Sequence, residues 1–187
     1  MKEKNRKDFA IKKMVLSALF LALGVVLPFL TGQIPAVGSM LLPMHIPVLL
    51  CGFLCGKWWG LAVGLLCPLL RSVLFGAPPM FPTAVAMSAE LMTYGFVTGF
   101  LYGKSMPRLF EPWRVLISLL TAMILGRVVW GAVRILLTVA GAGSFTWKTF
   151  LSGAVTAAIP GIVLQVVLIP LLLAALKKAG VFPLKGE

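Results

Sequence analysis

Residues 113–139 read WRVLISLLTAMILGRVVWGAVRILLTV, an apolar run that is long enough to cross a membrane. A transmembrane helix needs about 20 predominantly apolar residues. Five further apolar runs, separated by short polar or proline- and glycine-rich stretches, repeat this pattern along the chain. We therefore predict an all-α integral membrane protein with a six-transmembrane-helix bundle. The predicted helices cover residues 14–30, 45–56, 60–75, 83–102, 113–139 and 150–176.

The composition favours the same class of protein. Of the 187 residues, 60% are hydrophobic and only 12% are charged, whereas soluble domains carry about 25% charged residues. We predict a single membrane domain over 1–187, with a basic cytoplasmic N-terminus (1–13), the bundle (14–176) and a cytoplasmic tail (177–187). The sequence has no P-loop and no polar segment that would house an ATPase.

The net charge of +12 is typical of nucleic-acid binding in a soluble protein, but here the basic residues flank apolar runs. With the N-terminus in the cytoplasm, Lys148 is the one basic loop residue on the outer side, which agrees with the positive-inside rule. We predict that both termini are cytoplasmic and that the chain is a multi-pass protein of the bacterial cell membrane. The cytoplasmic basic residues are Lys2, Lys4, Arg6, Lys7, Lys12, Lys13, Lys57, Lys104, Arg108, Arg114, Lys177, Lys178 and Lys185.

Four charged residues lie inside the apolar runs: Arg71, Glu90, Arg127 and Arg134. A charge near the bilayer centre costs roughly 2.5–3.5 kcal/mol on insertion scales, so such residues face a bundle interior or a cavity and are functional candidates. One alternative is that Glu90 neutralises an arginine. Another is that Arg71 and Arg134, which lie near helix ends, extend to the outer interface.

Polar and aromatic residues on the later helices extend this candidate site. Arg127 and Arg134 are seven residues apart and share a helical face with Trp130. Glu90 and Tyr94 recur four residues apart, and Gln165 needs a polar partner in lipid. Packing is the alternative for Trp130, and a structural role is the alternative for His45. The predicted substrate-binding residues are Glu90, Tyr94, Arg127, Trp130, Arg134, Gln165, Arg71 and His45.

Small residues form a second pattern, because residues of this size four apart allow helices to approach closely in lipid. Ala18 and Ala22 show this spacing on the first helix, and Gly95, Gly99 and Gly103 show it on the fourth. A further series, at Gly52, Gly56, Gly60 and Gly64, crosses the turn predicted at residues 57–59 and is not expected to form one helix face. The cysteines lie in apolar stretches without histidine partners, so we predict no metal site and no catalytic residue.

Together these features resemble the S components of energy-coupling factor (ECF) transporters. The resemblance rests on the basic N-terminus, the motif Ala18-x-x-x-Ala22, the stretch Met44-His-Ile-Pro-Val48 and Arg71 at the end of the third helix. It implies a six-helix vitamin-binding subunit that docks through Ala18 and Ala22 onto a transmembrane coupling subunit. It also implies two cytoplasmic ATPase subunits that use the ATP, so the chain itself needs no cofactor. The ligand site would lie near the outer surface, between the loop after helix one and helices four to six.

Three intramembrane arginines against one glutamate leave an excess of positive charge. We therefore expect a small anionic vitamin such as pantothenate as the ligand. One alternative is a stand-alone secondary transporter of a small organic anion, although no convincing repeat relates the two halves of the chain. An intramembrane enzyme is a weaker alternative, because the sequence has one histidine and no H-E-x-x-H motif.

Overall fold

The computed structural model describes residues 2–31, 41–105, 110–141, 146, 151 and 158–180, and those residues contain helices and no strand. The helices are α1 (Lys2–Val26), α2 (His45–Cys55), α3 (Lys57–Phe75), α4 (Val85–Phe100), α5 (Glu111–Val139) and α6 (Ile159–Lys178). This confirms the all-α prediction. Five segments, one on each of these helices except α2, are long and apolar enough to cross a membrane. With 11 residues, α2 is about 16 Å long, which is shorter than a bilayer core of about 30 Å.

The first helix is longer than predicted at its N-terminal end, because it begins at Lys2 and not near residue 14. Residues 2–13 contain no glycine or proline and several good helix formers, so nothing stops the helix there. At the other end, α1 tightens into the 3₁₀ turn Leu27–Thr31. This turn contains Pro28, which has no backbone N–H for an α-helical hydrogen bond.

The turn predicted over residues 57–59 is wrong, because α3 already begins at Lys57. Only Gly56 separates α2 from α3, and its φ of 95° is one that residues with a side chain rarely adopt. A single glycine is therefore enough to reverse the chain, and the aromatic residues Trp58 and Trp59 are left free to join the helix.

Glycines bring α2, α3 and α4 into close contact. Gly52 on α2 and Gly60 on α3 both face the carbonyl group of Gly95 on α4, and Gly64 faces the backbone of Leu91. A Cβ atom at any of the four glycines would overlap the opposite helix. The series from Gly52 to Gly64 is therefore divided between two helices, as expected, yet both parts pack on α4.

A polar cluster joins the short helical segment after α4 (Leu101–Ser105) to α5 and α6. This end of the bundle is here called the Glu111 end. Glu111 in the first turn of α5 forms an ion pair with Lys177 in the last turn of α6, where the helix dipoles favour these charges. The Tyr102 hydroxyl donates to Glu111 Oε1 at 3.1 Å. Arg114 donates to the Tyr102 carbonyl at 2.7 Å. Lys177 thus belongs to α6 and not to the predicted tail.

Candidate functional site

The carboxylate of Glu90 is the centre of a buried polar cluster. Its side chain on α4 is only 2% exposed. The hydroxyl of Tyr94, one turn along the same helix, donates to Glu90 Oε1 at 3.0 Å. Nη1 of Arg127 on α5 lies 3.1 Å from the same oxygen. Hydrogen bonds and an opposite charge together offset the cost of removing this carboxylate from water.

The guanidinium group of Arg127 uses one nitrogen for Glu90 and keeps its other edge available. Its side chain is 13% exposed. Nε and Nη2 are buried, and neither has a hydrogen-bond partner among the described residues. These two nitrogens form the side edge of the planar fork, which matches the two oxygens of a carboxylate. Arg127 can therefore hold a second anion while it remains paired with Glu90.

His45 joins this cluster from the start of α2. Its ring lies edge-on to the Tyr94 ring, with centroids 5.3 Å apart. Its Nε2 atom lies 3.6 Å from Glu90 Oε1, which is beyond hydrogen-bond distance. His45 is 1% exposed, and both ring nitrogens lack a hydrogen-bond partner within the described part of the chain. The sequence prediction had placed these four residues in one site, and the structure brings them together.

Gly126 positions the Tyr94 ring and was not identified from the sequence. A Cβ atom at position 126 would overlap that ring, so the absence of a side chain lets Tyr94 lie against α5. Its hydroxyl then reaches Glu90. The signal in the sequence was a glycine directly before an intramembrane arginine, but many membrane helices use glycine for packing.

The other predicted residues of α5 and α6 are Trp130, Arg134 and Gln165. Trp130 and Arg134 are half-buried on α5, one and two turns beyond Arg127. Gln165 on α6 is fully buried. Neither its amide oxygen nor its amide nitrogen has a hydrogen-bond partner among the described residues.

Arg71 has structural contacts of its own. It is 4% exposed, and its Nη1 donates to the Val25 carbonyl at 2.8 Å. Its guanidinium lies over the rings of Phe29 and Phe75, at 5.1 and 5.9 Å from their centroids. In a 3₁₀ turn, the donor to Val25 would be Pro28, which has no N–H. Arg71 supplies that donor, and so it holds the end of α1 against α3.

Ala18 and Ala22 are exposed on α1. The opposite side of the helix carries Ser17 and Phe20, which are buried against the bundle. Exposed apolar residues adjoin the two alanines, among them Val15, Leu19 and Leu23. The alanine motif thus lies on an exposed face of α1.

The family model described as "ECF transporter, substrate-specific component" matches residues 12–173, which is most of the chain. The chain belongs to this family. Comparison with curated proteins and with solved structures gave no match. As an S component, it is a membrane transport protein and not an enzyme. Its function is to bind a substrate for an importer that also contains a coupling subunit and ATPase subunits.

The described residues of this S component contain no group of three or more histidine, cysteine or acidic side chains arranged to hold a metal. Its described cysteines are free and buried.

Proposed function

We propose that this S component captures a small organic anion, of the carboxylated-vitamin type represented by pantothenate, for import through the bacterial cell membrane. The observation that carries the proposal is the buried side edge of Arg127. Its Nε and Nη2 atoms lack hydrogen-bond partners among the described residues, while Nη1 is held by Glu90. A carboxylate fits this edge with two parallel hydrogen bonds.

The charge balance of the membrane interior supports an anion. Glu90 neutralises Arg127, and Arg134 adds a positive charge on the same face of α5, about 10 Å further along. A ligand anion would be attracted to both guanidinium groups, and this attraction is stronger in a low-dielectric site than in water. Trp130 lies between the two arginines on that face and offers a flat surface for the apolar part of the ligand.

Two measurements test the proposal. Mass spectrometry of small molecules that co-purify with the protein should identify a carboxylate or another anion. Uptake of that compound in vesicles should require the coupling subunit and both ATPases with ATP. Uptake by this chain alone would instead identify a stand-alone secondary transporter. Co-purification of an uncharged compound would contradict the proposal that the ligand is an anion.

The exposed alanines of α1 should form the docking face for the coupling subunit, because small side chains allow close backbone approach. We expect Ala18→Trp or Ala22→Trp to abolish transport and to leave ligand binding in detergent unchanged. Ala132→Trp is the matched control, since Ala132 is also exposed but lies on α5, and it should leave transport intact. Equal loss of binding and transport in the α1 variants would show that the motif packs the bundle.

Both termini should lie in the cytoplasm, as the distribution of basic residues indicates. Of those residues, Arg108, Lys148 and Lys185 lie outside the described part of the chain. The topology is therefore tested by chemical labelling of introduced cysteines. In intact cells, an impermeant maleimide should not react with Asn5→Cys and should react with Thr146→Cys. The native cysteines Cys51, Cys55 and Cys67 are buried and should give little background. Labelling of Asn5→Cys and not of Thr146→Cys would show that the topology is the opposite of the one predicted.

A further inference from the structure

Gln165 is a fully buried amide that the fold leaves without a described partner. It lies on the inward row of α6, one turn after Gly161 and one turn before Ile169. Neither Nε2 nor Oε1 has a hydrogen-bond partner among the described residues. An unsatisfied buried polar group is costly, and each such group in a folded protein calls for a physical reason.

The ion pair at the Glu111 end places Gln165 at the depth of Glu90. Glu111 contacts both Tyr102 and Lys177, so these two residues mark one level in the bundle. Glu90 precedes Tyr102 by 12 residues (102 − 90), and Gln165 precedes Lys177 by 12 residues (177 − 165). At 1.5 Å per residue, both lie about 18 Å from the Glu111 end.

The directions of the helices bring the side chains of Glu90, Gln165 and Arg127 towards one another. Side chains in a helix lean towards its N-terminus. Glu90 and Gln165 therefore lean away from the Glu111 end, whereas Arg127, whose helix runs the other way, leans towards it. Because α6 packs against both α5 and α2, the inward face of α6 is directed towards the helices that carry Arg127 and His45.

His45 and Gln165 offer the same kind of hydrogen bonding. A neutral imidazole has one donor and one acceptor, and a primary amide has donors and an acceptor. Both side chains are at least 99% buried, and neither forms a hydrogen bond to a described residue. The ligand carboxylate is proposed to bind Arg127. The hydrogen-bonding groups of His45 and Gln165 therefore suit a second, uncharged group of the ligand.

We infer that the ligand carries, besides its carboxylate, an uncharged group that both donates and accepts hydrogen bonds, as a carboxamide does, and that Gln165 binds it. This inference rests on the proposed function, and it narrows the substrate class to carboxylates that contain an amide. A simple fatty acid or an aromatic carboxylate without such a group would leave the Gln165 amide unsatisfied and would bind less tightly.

The test compares two ligands and two proteins. The ligands are pantothenate and its analogue in which two methylene groups replace the amide, and the proteins are the wild type and Gln165→Leu. We expect the wild type to prefer pantothenate by at least tenfold and Gln165→Leu to bind both compounds within about twofold of each other. The thermal stability of the ligand-free variant should not fall, since leucine replaces an amide that has no hydrogen-bond partner among the described residues.

Ser118→Ala is the matched control, because the Ser118 hydroxyl is also buried without a described hydrogen-bond partner but lies closer to the Glu111 end. It should keep the preference for pantothenate. If the wild type binds both compounds equally, or if Gln165→Leu keeps the preference, the inference is wrong and the carboxylate site at Arg127 stands. If the wild type binds neither compound, the proposed function is wrong, and this inference with it.

Discussion

Replacing Arg127 with alanine should weaken binding of the anionic ligand by more than tenfold, which corresponds to about 1.4 kcal/mol. The variant loses the Nε and Nη2 edge that is available to a carboxylate. It also leaves Glu90 without its ion pair at 3.1 Å, so the anionic ligand would enter a site whose charge is more negative by one unit. Isothermal titration or equilibrium dialysis in detergent, with the compound that co-purifies, measures the effect.

A second variant separates binding from folding, because removal of one partner of a buried ion pair commonly destabilises a protein by about 3–5 kcal/mol. In the double variant Glu90→Gln, Arg127→Met, both charges of the pair are absent and the net charge of the interior is unchanged. Its thermal stability should recover towards that of the wild type while binding stays weak. Tight binding of an uncharged vitamin, unchanged by Arg127→Ala and Arg134→Ala, would mean that these arginines serve the fold and that the pocket is assigned wrongly.

Replacing Gly95 with leucine should prevent correct folding of the bundle. A Cβ atom at this position would overlap the backbone of Gly60, and a backbone cannot move aside as a side chain can. Three helices meet here, since Gly52 on α2 faces the carbonyl of Gly95 as well. Overpacking of a core commonly costs about 1–3 kcal/mol, and we expect a cost at or above that range. The yield of monodisperse protein and its unfolding temperature measure the effect.

Gly103→Leu provides the control for this prediction. Gly103 lies eight residues further along the same segment, and a Cβ atom there would have no neighbour within 4 Å. The control should fold and bind ligand like the wild type. A stable Gly95→Leu protein with an unchanged unfolding temperature would show that the close approach of α3 and α4 is not needed for the fold.

The apolar runs were sufficient to predict the helices, but their ends depended on local chemistry that hydropathy does not report. The start of α1 at Lys2 followed from helix propensity in a charged segment, and the start of α3 at Lys57 followed from the positive φ of Gly56. The charged residues 1–13 had indicated a non-helical terminus, and the interfacial residues 57–59 had indicated a turn. Nothing in the backbone of either segment required such a feature.

The four intramembrane charges illustrate a different limit. Their positions in the apolar runs identified them as inward-facing, since lipid does not tolerate such groups. Their partners followed only from three-dimensional packing: Arg127 lies against Glu90, whereas Arg71 donates to the Val25 carbonyl. The 3₁₀ turn at Leu27–Thr31 created the need for that donor, and the sequence analysis had not predicted that turn.

The sequence by itself thus determined the all-α membrane class, the residues that must face the interior and the family, because hydropathy, helical periodicity and short motifs are local properties of the chain. Only the tertiary structure decided that Tyr94 packs on Gly126 and that α2 and α3 both approach Gly95. It also decided that Nε and Nη2 of Arg127 have no hydrogen-bond partner among the described residues. These contacts depend on the rotation and depth of one helix relative to another. Residues about 37 positions apart, such as Glu90 and Arg127, carry no local signal of that relation.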